Sequence, residues 1–117
     1  MSRPREFLVW AADIFGPVAL DPHERAMRFL EEAIELSHAL AIPIGTLSAV
    51  AERGYARPPG KVNREIGQSA VTLEMLAECV GFSAEIEAAR EFDRVKSIPT
   101  EEWAARHAAK VKMGIAK

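Results

Sequence analysis

Apolar residues recur at helical spacing along almost the whole chain, and no stretch of useful length alternates as a strand does. Phe7, Leu8, Trp10, Ala11 and Ile14 trace one face of a first helix, which Ser2 and Pro4 open and Gly16-Pro17 stops. After the connector Val18-Ala19-Leu20 comes Asp21-Pro22-His23-Glu24, a start signal in three parts. It holds an N-cap, a proline at the first helical position, and a glutamate placed for a capping box. The second helix is predicted from Pro22 to about Leu40 and is closed by Pro43 and Gly45. Thr46 caps a short third helix, Leu47 to Arg53, ended by Gly54. Tyr55-Ala56-Arg57-Pro58-Pro59-Gly60 is the least helical stretch of the chain. A fourth helix follows from about Val62 to Val80, with Ile66, Ala70, Leu73, Ala77 and Val80 as its stripe and Gly81 just past its end. Ser83 caps a fifth from Ala84 to about Lys96, and Thr100 a last one from Glu101 to about Lys112. The pattern predicts an all-α bundle of four main helices with short extra ones, in a single domain over residues 1–117.

Composition narrows the function classes. Of the 117 residues, 49% are hydrophobic, enough to fold. The balance of 17 acidic against 15 basic residues contains no basic block, which argues against a dedicated nucleic-acid surface. No secretory leader and no long apolar run stand out, so membrane insertion and export are not expected. Cys79 is alone, which excludes an internal disulfide and fits a reducing compartment, the cytoplasm. Its setting, Leu76-Ala77-Glu78-Cys79-Val80, reads as a helix with a buried thiol and no His or Lys beside it to activate it.

The unusual stretch is Phe29-Leu30-Glu31-Glu32-Ala33-Ile34-Glu35-Leu36. It brings three carboxylates into one arc of a helix, at the edge of the apolar stripe of Met27, Leu30 and Ile34. Like charges three and four apart repel, so a compensating cation is expected. Arg28 on the same helix is one candidate, which would make the cluster a solvated charged face. A hard divalent metal such as Mg²⁺, which takes oxygen ligands, is the other. On the fourth helix, Glu65, Gln68, Ser69 and Thr72 share a polar strip, so Glu65 can join the three acids if the second and fourth helices pack side by side. Glu35-x-x-His38 is half of a di-iron carboxylate arrangement, but neither His23 nor His107 has a glutamate three residues earlier. Arg28, Arg57 in the Pro-Pro-Gly loop and Lys110 are the candidate phosphate contacts. Arg25, Lys61, Arg94, Lys96, Arg106 and Lys112 are further cations of which most read as surface charges, with Lys112 placed beside Lys110 on the last helix. Trp10, Phe15 and Trp103 read as core or interface anchors rather than stacking platforms.

Glu31-Glu32-x-x-Glu35, followed one helix later by Glu65-x-x-Gln68, resembles the EExxE…ExxD signature of the MazG-like nucleotide pyrophosphohydrolases. Trp10 with Phe15-Gly16-Pro17, the run Glu24-Arg25-x-x-Arg28-Phe29-Leu30 into the acids, Tyr55-x-Arg57-Pro58-x-Gly60, Glu65-x-Gly67 with Val71-Thr72-Leu73, and Arg106-x-x-Ala109-Lys110 look like a small bacterial and phage group of that superfamily. The likeness covers about residues 8 to 112. It implies hydrolysis of a nucleoside triphosphate between its α and β phosphates, giving the monophosphate and pyrophosphate. It also implies Mg²⁺ (or Mn²⁺) held by Glu31, Glu32, Glu35 and Glu65, with Glu32 or Glu35 as base for the attacking water. Homodimers or dimers of dimers are implied as well. One departure stands out: Gln68 replaces the signature's aspartate, and an amide oxygen can ligate Mg²⁺ but brings no charge. The alternative is a catalytically weak or inactive MazG-like helical oligomer that binds a nucleotide or a protein.

Overall fold

The computed structural model describes residues 1–117 and is all-α, with no strand. Helix α1 spans Arg3–Phe15, followed by a 3₁₀ turn at Pro17–Leu20, α2 at Pro22–Ala39, α3 at Ile44–Tyr55, α4 at Val62–Cys79, α5 at Ala84–Lys96 and α6 at Thr100–Lys112. No helix is long and apolar enough to cross a membrane.

Most helix ends follow from local chemistry. Ser2 Oγ accepts from Arg5 N–H, Asp21 Oδ1 from His23 N–H at 3.1 Å, and Ser83 Oγ from Ile86 N–H at 3.2 Å, so each satisfies an orphan donor of a first turn. Three helices end in the same way. At α4, Phe82 N–H reaches Ala77 C=O and Gly81 N–H reaches Glu78 C=O, with Gly81 at φ +83°. At α6 the same pair of bonds runs from Ile115 to Lys110 and from Gly114 to Val111, around Gly114 at φ +79°. At α2 it runs from Ile42 to Ser37 and from Ala41 to His38, but the left-handed residue is Ala41 at φ +64°. These are Schellman endings, and only the one on α2 places a Cβ in left-handed backbone.

Three boundaries differ from expectation, both ends of α3 and the start of α6. Helix α3 begins at Ile44 and runs through Gly54 to Tyr55. Pro58 then follows, and the residue before a proline is pushed out of the helical region, so Arg57-Pro58 stops the chain from continuing helical where a lone glycine did not. At α6 the cap position is Pro99, and Thr100 is the first helical residue without capping through its side chain.

Contacts divide the chain into two units. Unit 1 comprises Met1–Pro43 and Lys96–Lys117, and unit 2 comprises Ile44–Val95. In unit 1, α1 packs against α6 and the 3₁₀ turn, and α2 packs against the same turn. Ala11 and Ala19 are the buried apolar residues at these crossings, small enough to let the backbones approach. In unit 2, no two of α3, α4 and α5 pack broadly together. Their apolar residues, among them Val50, Ile66, Val71 and Met75, remain exposed. Cys79 is exposed too, contrary to the buried thiol expected, because its helix has no partner on that face within unit 2.

Candidate functional site

In unit 1, α1, α2 and α6 surround a cavity of about 230 Å³. One part of its lining is aromatic. Trp10 meets Phe15 at 6.4 Å and Trp103 at 5.7 Å, both edge to face, and Phe15 lies 6.1 Å from Trp103 and 5.4 Å from His107. Such edge-to-face pairs place the positive rim of one ring on the negative face of the next. These side chains are only half-buried, because the cavity keeps one side of the cluster open. The expectation of anchoring residues thus accounts for their mutual packing and misses the space they enclose.

The rest of the lining is charged. Glu24 is 1% exposed. One of its oxygens accepts from Lys117 N–H at 2.9 Å, and the other lies 3.4 Å from Arg28 Nε without a hydrogen-bond partner. The expected capping box is therefore absent: Asp21 N–H bonds to Val18 C=O instead, leaving the Glu24 carboxylate for the interior. Arg28 also donates to Ile115 C=O and stands 3.6 Å from Glu31. Lys110 Nζ donates to Glu31 at 2.7 Å, linking α6 to α2. Arg106 pairs with Glu102 and lies over the Trp103 ring, 5.1 Å from its centroid. Arg25 has no carboxylate partner, and its Nε is buried without an acceptor, as are Arg28 Nε and Nη1.

The acidic cluster is neutralised unevenly. Glu31 holds both available cations, Lys110 and Arg28. Glu32 and Glu35 have none within ion-pair distance. The Glu32 carboxyl is held above its ordinary value by burial first, then by the charges of Glu35 and Glu31 and by a hydrogen bond with Glu35, with Lys110 opposing. As donors, Glu32 and Glu35 suit a hard divalent cation: they are oxygen-only, adjacent and short of positive charge. No three Asp, Glu, His or Cys side chains are gathered in the geometry of a metal site.

The residues after α3 belong to unit 2. Residues 56–61 and the start of α4 enclose about 920 Å³, lined by Tyr55, Arg57, Lys61, Arg64, Glu65 and Gln68, with the prolines and Gly60. Arg57 is an exposed cation on this loop, as expected, and Lys61 and Arg64 join it, none with a carboxylate partner. Glu65 folds back onto the loop, so that a Cβ at Gly60 would meet its Oε1 at 2.5 Å. Gln68 lines the same space, and its C=O accepts from Thr72 Oγ1 at 2.7 Å.

Comparison with family models, curated proteins and solved structures finds no match for the chain.

Proposed function

We propose that the chain is a Mg²⁺-dependent nucleoside triphosphate pyrophosphohydrolase of the MazG-like kind, with the four-helix-bundle-like fold of that superfamily. The observation that carries this reading is the pair Glu32 and Glu35. Two adjacent carboxyls without a counter-cation, one with its proton affinity raised, repel each other, and a ligand that supplies positive charge relieves that repulsion. Glu31, Glu32 and Glu35 would hold the metal. When bound, it supplies Lewis-acid polarisation of a phosphate oxygen and a more acidic water. The chain's own part is to position and to accept. A raised carboxyl at Glu32 is a better base for a water proton than an ordinary one, and Glu35 is placed to share that proton. Lys110 carries charge to offset a phosphate, by exchanging Glu31 for a phosphate oxygen. Arg28 is committed to Glu24 and Glu31, so its part is to fix the acidic helix rather than to grip substrate.

The Lys110–Glu31 bond favours a second reading. An ammonium on a ligand position weakens a metal site at that glutamate, and Gln68 departs from the signature's aspartate. That supports a catalytically weak or inactive MazG-like helical oligomer serving as a nucleotide- or protein-binding module.

Both readings include self-association. The uncovered apolar residues of α3 and α4 are the surface for it. Sedimentation equilibrium should give twice the chain mass, or four times it for a dimer of dimers.

The deciding experiment is pyrophosphate release from a panel of canonical and damaged nucleoside triphosphates, with Mg²⁺ and with Mn²⁺, for the unaltered chain and for Glu35→Gln. Metal-dependent release that disappears in the variant supports the hydrolase. No release from any triphosphate by the folded chain selects the binding module.

A further inference from the structure

Between Arg53 and Arg64 the chain carries four cations and no carboxylate, although its net charge is −2. The run from Arg106 to Lys117 carries as many, but there Arg106, Lys110 and Lys117 each hold a carboxylate, Glu102, Glu31 and Asp21. The earlier run is not neutralised in this way. Arg57, Lys61 and Arg64 are exposed, line the same cavity of about 920 Å³ in unit 2, and have no carboxylate within ion-pair distance. Glu65 is the one acid of that lining. It lies against the loop, where a Cβ at Gly60 would meet its Oε1 at 2.5 Å.

The cavity falls within the roughly 300–1,000 Å³ of pockets that enclose small ligands. Three cations against one carboxylate leave its lining two positive charges in excess. Guanidinium and ammonium groups donate and never accept, so this lining suits an anion rich in acceptors. A carboxylate brings one charge and two oxygens. A diphosphate brings at least two charges and spreads its oxygens over two groups, enough for two arginine forks and an ammonium. Pro58 and Pro59 fix φ between Arg57 and Lys61, so this stretch has little freedom left to lose on binding.

We propose that this cavity binds a diphosphate group, with Arg57 and Arg64 as forked donors and Lys61 as a point charge. Tyr55, 92% exposed and part of the same lining, offers a ring face to a nucleoside when the diphosphate carries one. The site lies wholly within unit 2 and uses no residue of the acidic helix, so it is independent of the pyrophosphohydrolase reading.

The test is calorimetric titration of the full chain, in EDTA, with pyrophosphate, ADP and inorganic phosphate. Pyrophosphate should bind at least about tenfold more tightly than phosphate. Arg57→Met and Arg64→Met should each weaken it by about tenfold, the scale of one hydrogen bond to a charged group. Arg90→Met, which removes an exposed guanidinium paired with Glu87 at 2.9 Å on α5, should leave it unchanged. Tyr55→Ala separates the two sources of the diphosphate. ADP that binds more tightly than pyrophosphate and falls to its level in Tyr55→Ala identifies a nucleoside diphosphate. Equal binding of the two, unchanged in Tyr55→Ala, identifies the free diphosphate, and either result supports the site. No binding of pyrophosphate or ADP by the folded chain overturns it, as does phosphate binding of equal strength. Pyrophosphate binding that survives both arginine variants, or that disappears in Lys110→Met, places the anion elsewhere and overturns it too.

Discussion

Glu24 is the residue whose loss should tell most about unit 1. It is 1% exposed, binds Lys117 N–H at 2.9 Å and faces Arg28 Nε at 3.4 Å. Removing one partner of a buried ion pair costs about 3–5 kcal/mol, mostly because the other charge is left without compensation. Arg28 keeps two other partners, Glu31 at 3.6 Å and the Ile115 carbonyl. That places Glu24→Ala at the low end, about 3 kcal/mol. Glu24→Gln still accepts from Lys117 but loses the charge, so about half that cost is expected. Both tryptophans stand in unit 1, and urea unfolding followed by their fluorescence reads this unit directly. With a urea slope of about 1.5 kcal/mol per molar, Glu24→Ala should lower the midpoint by about 2 M and Glu24→Gln by about 1 M. A shift below about 0.5 M for Glu24→Ala would refute the reasoning, since the buried carboxylate would then be fastening nothing.

Two further outcomes follow from single residues. The folded chain binds a proton at Glu32 more readily than the unfolded chain does, so stability is lost as pH rises from below 4.5 through the raised folded value. Glu32→Gln has no such loss, and its urea midpoint should gain on that of the unaltered chain across this window; parallel midpoints would show that Glu32 is not perturbed. Ala41→Gly should stabilise by about 0.5–1 kcal/mol, because left-handed backbone costs an L-residue about 1–2 kcal/mol and glycine returns part of this in chain entropy. A destabilised Ala41→Gly, measured by urea midpoint, would mean that the α2 ending carries no strain.

The all-α class and the six helices were legible because their signals are local. Asp21-Pro22 and Ser83 act on the next turn, and Gly81 acts on the one before it. The errors came where two local signals compete. Gly54 read as a stop, yet α3 continued until Arg57-Pro58 forbade it. Glu24 read as a capping glutamate because the pattern Asp21-x-x-Glu24 is indifferent to what approaches from the far end of the chain. Residue 117 claims that carboxylate, and nothing near residue 24 announces it. The acid cluster was visible as a pattern, but its uneven neutralisation was not: Lys110 comes to Glu31 from a helix whose own sequence shows only surface-like spacing. The aromatic residues were singled out one by one, whereas the cavity among them is a property of three helices at once. Arg25 stood in the sequence only as one cation among several, and its buried, unpartnered Nε leaves no trace there.

The division of the chain into a split unit and a continuous one also sets an order of events during synthesis. Residues 44–95 hold their neighbours close in sequence, so their helices can form as they emerge. Unit 1 cannot be completed early. Glu31 waits for a partner 79 positions later, Arg28 for one 87 positions later and Glu24 for one 93 positions later. At about 5–20 residues per second, α1 and α2 spend on the order of ten seconds with their aromatic and charged faces uncovered before α6 arrives. A nascent chain halted before residue 100 therefore presents Trp10, Phe15 and a buried-to-be glutamate to whatever is nearby, which makes this interval, more than the finished protein, the point at which a chaperone or a neighbouring copy would intervene.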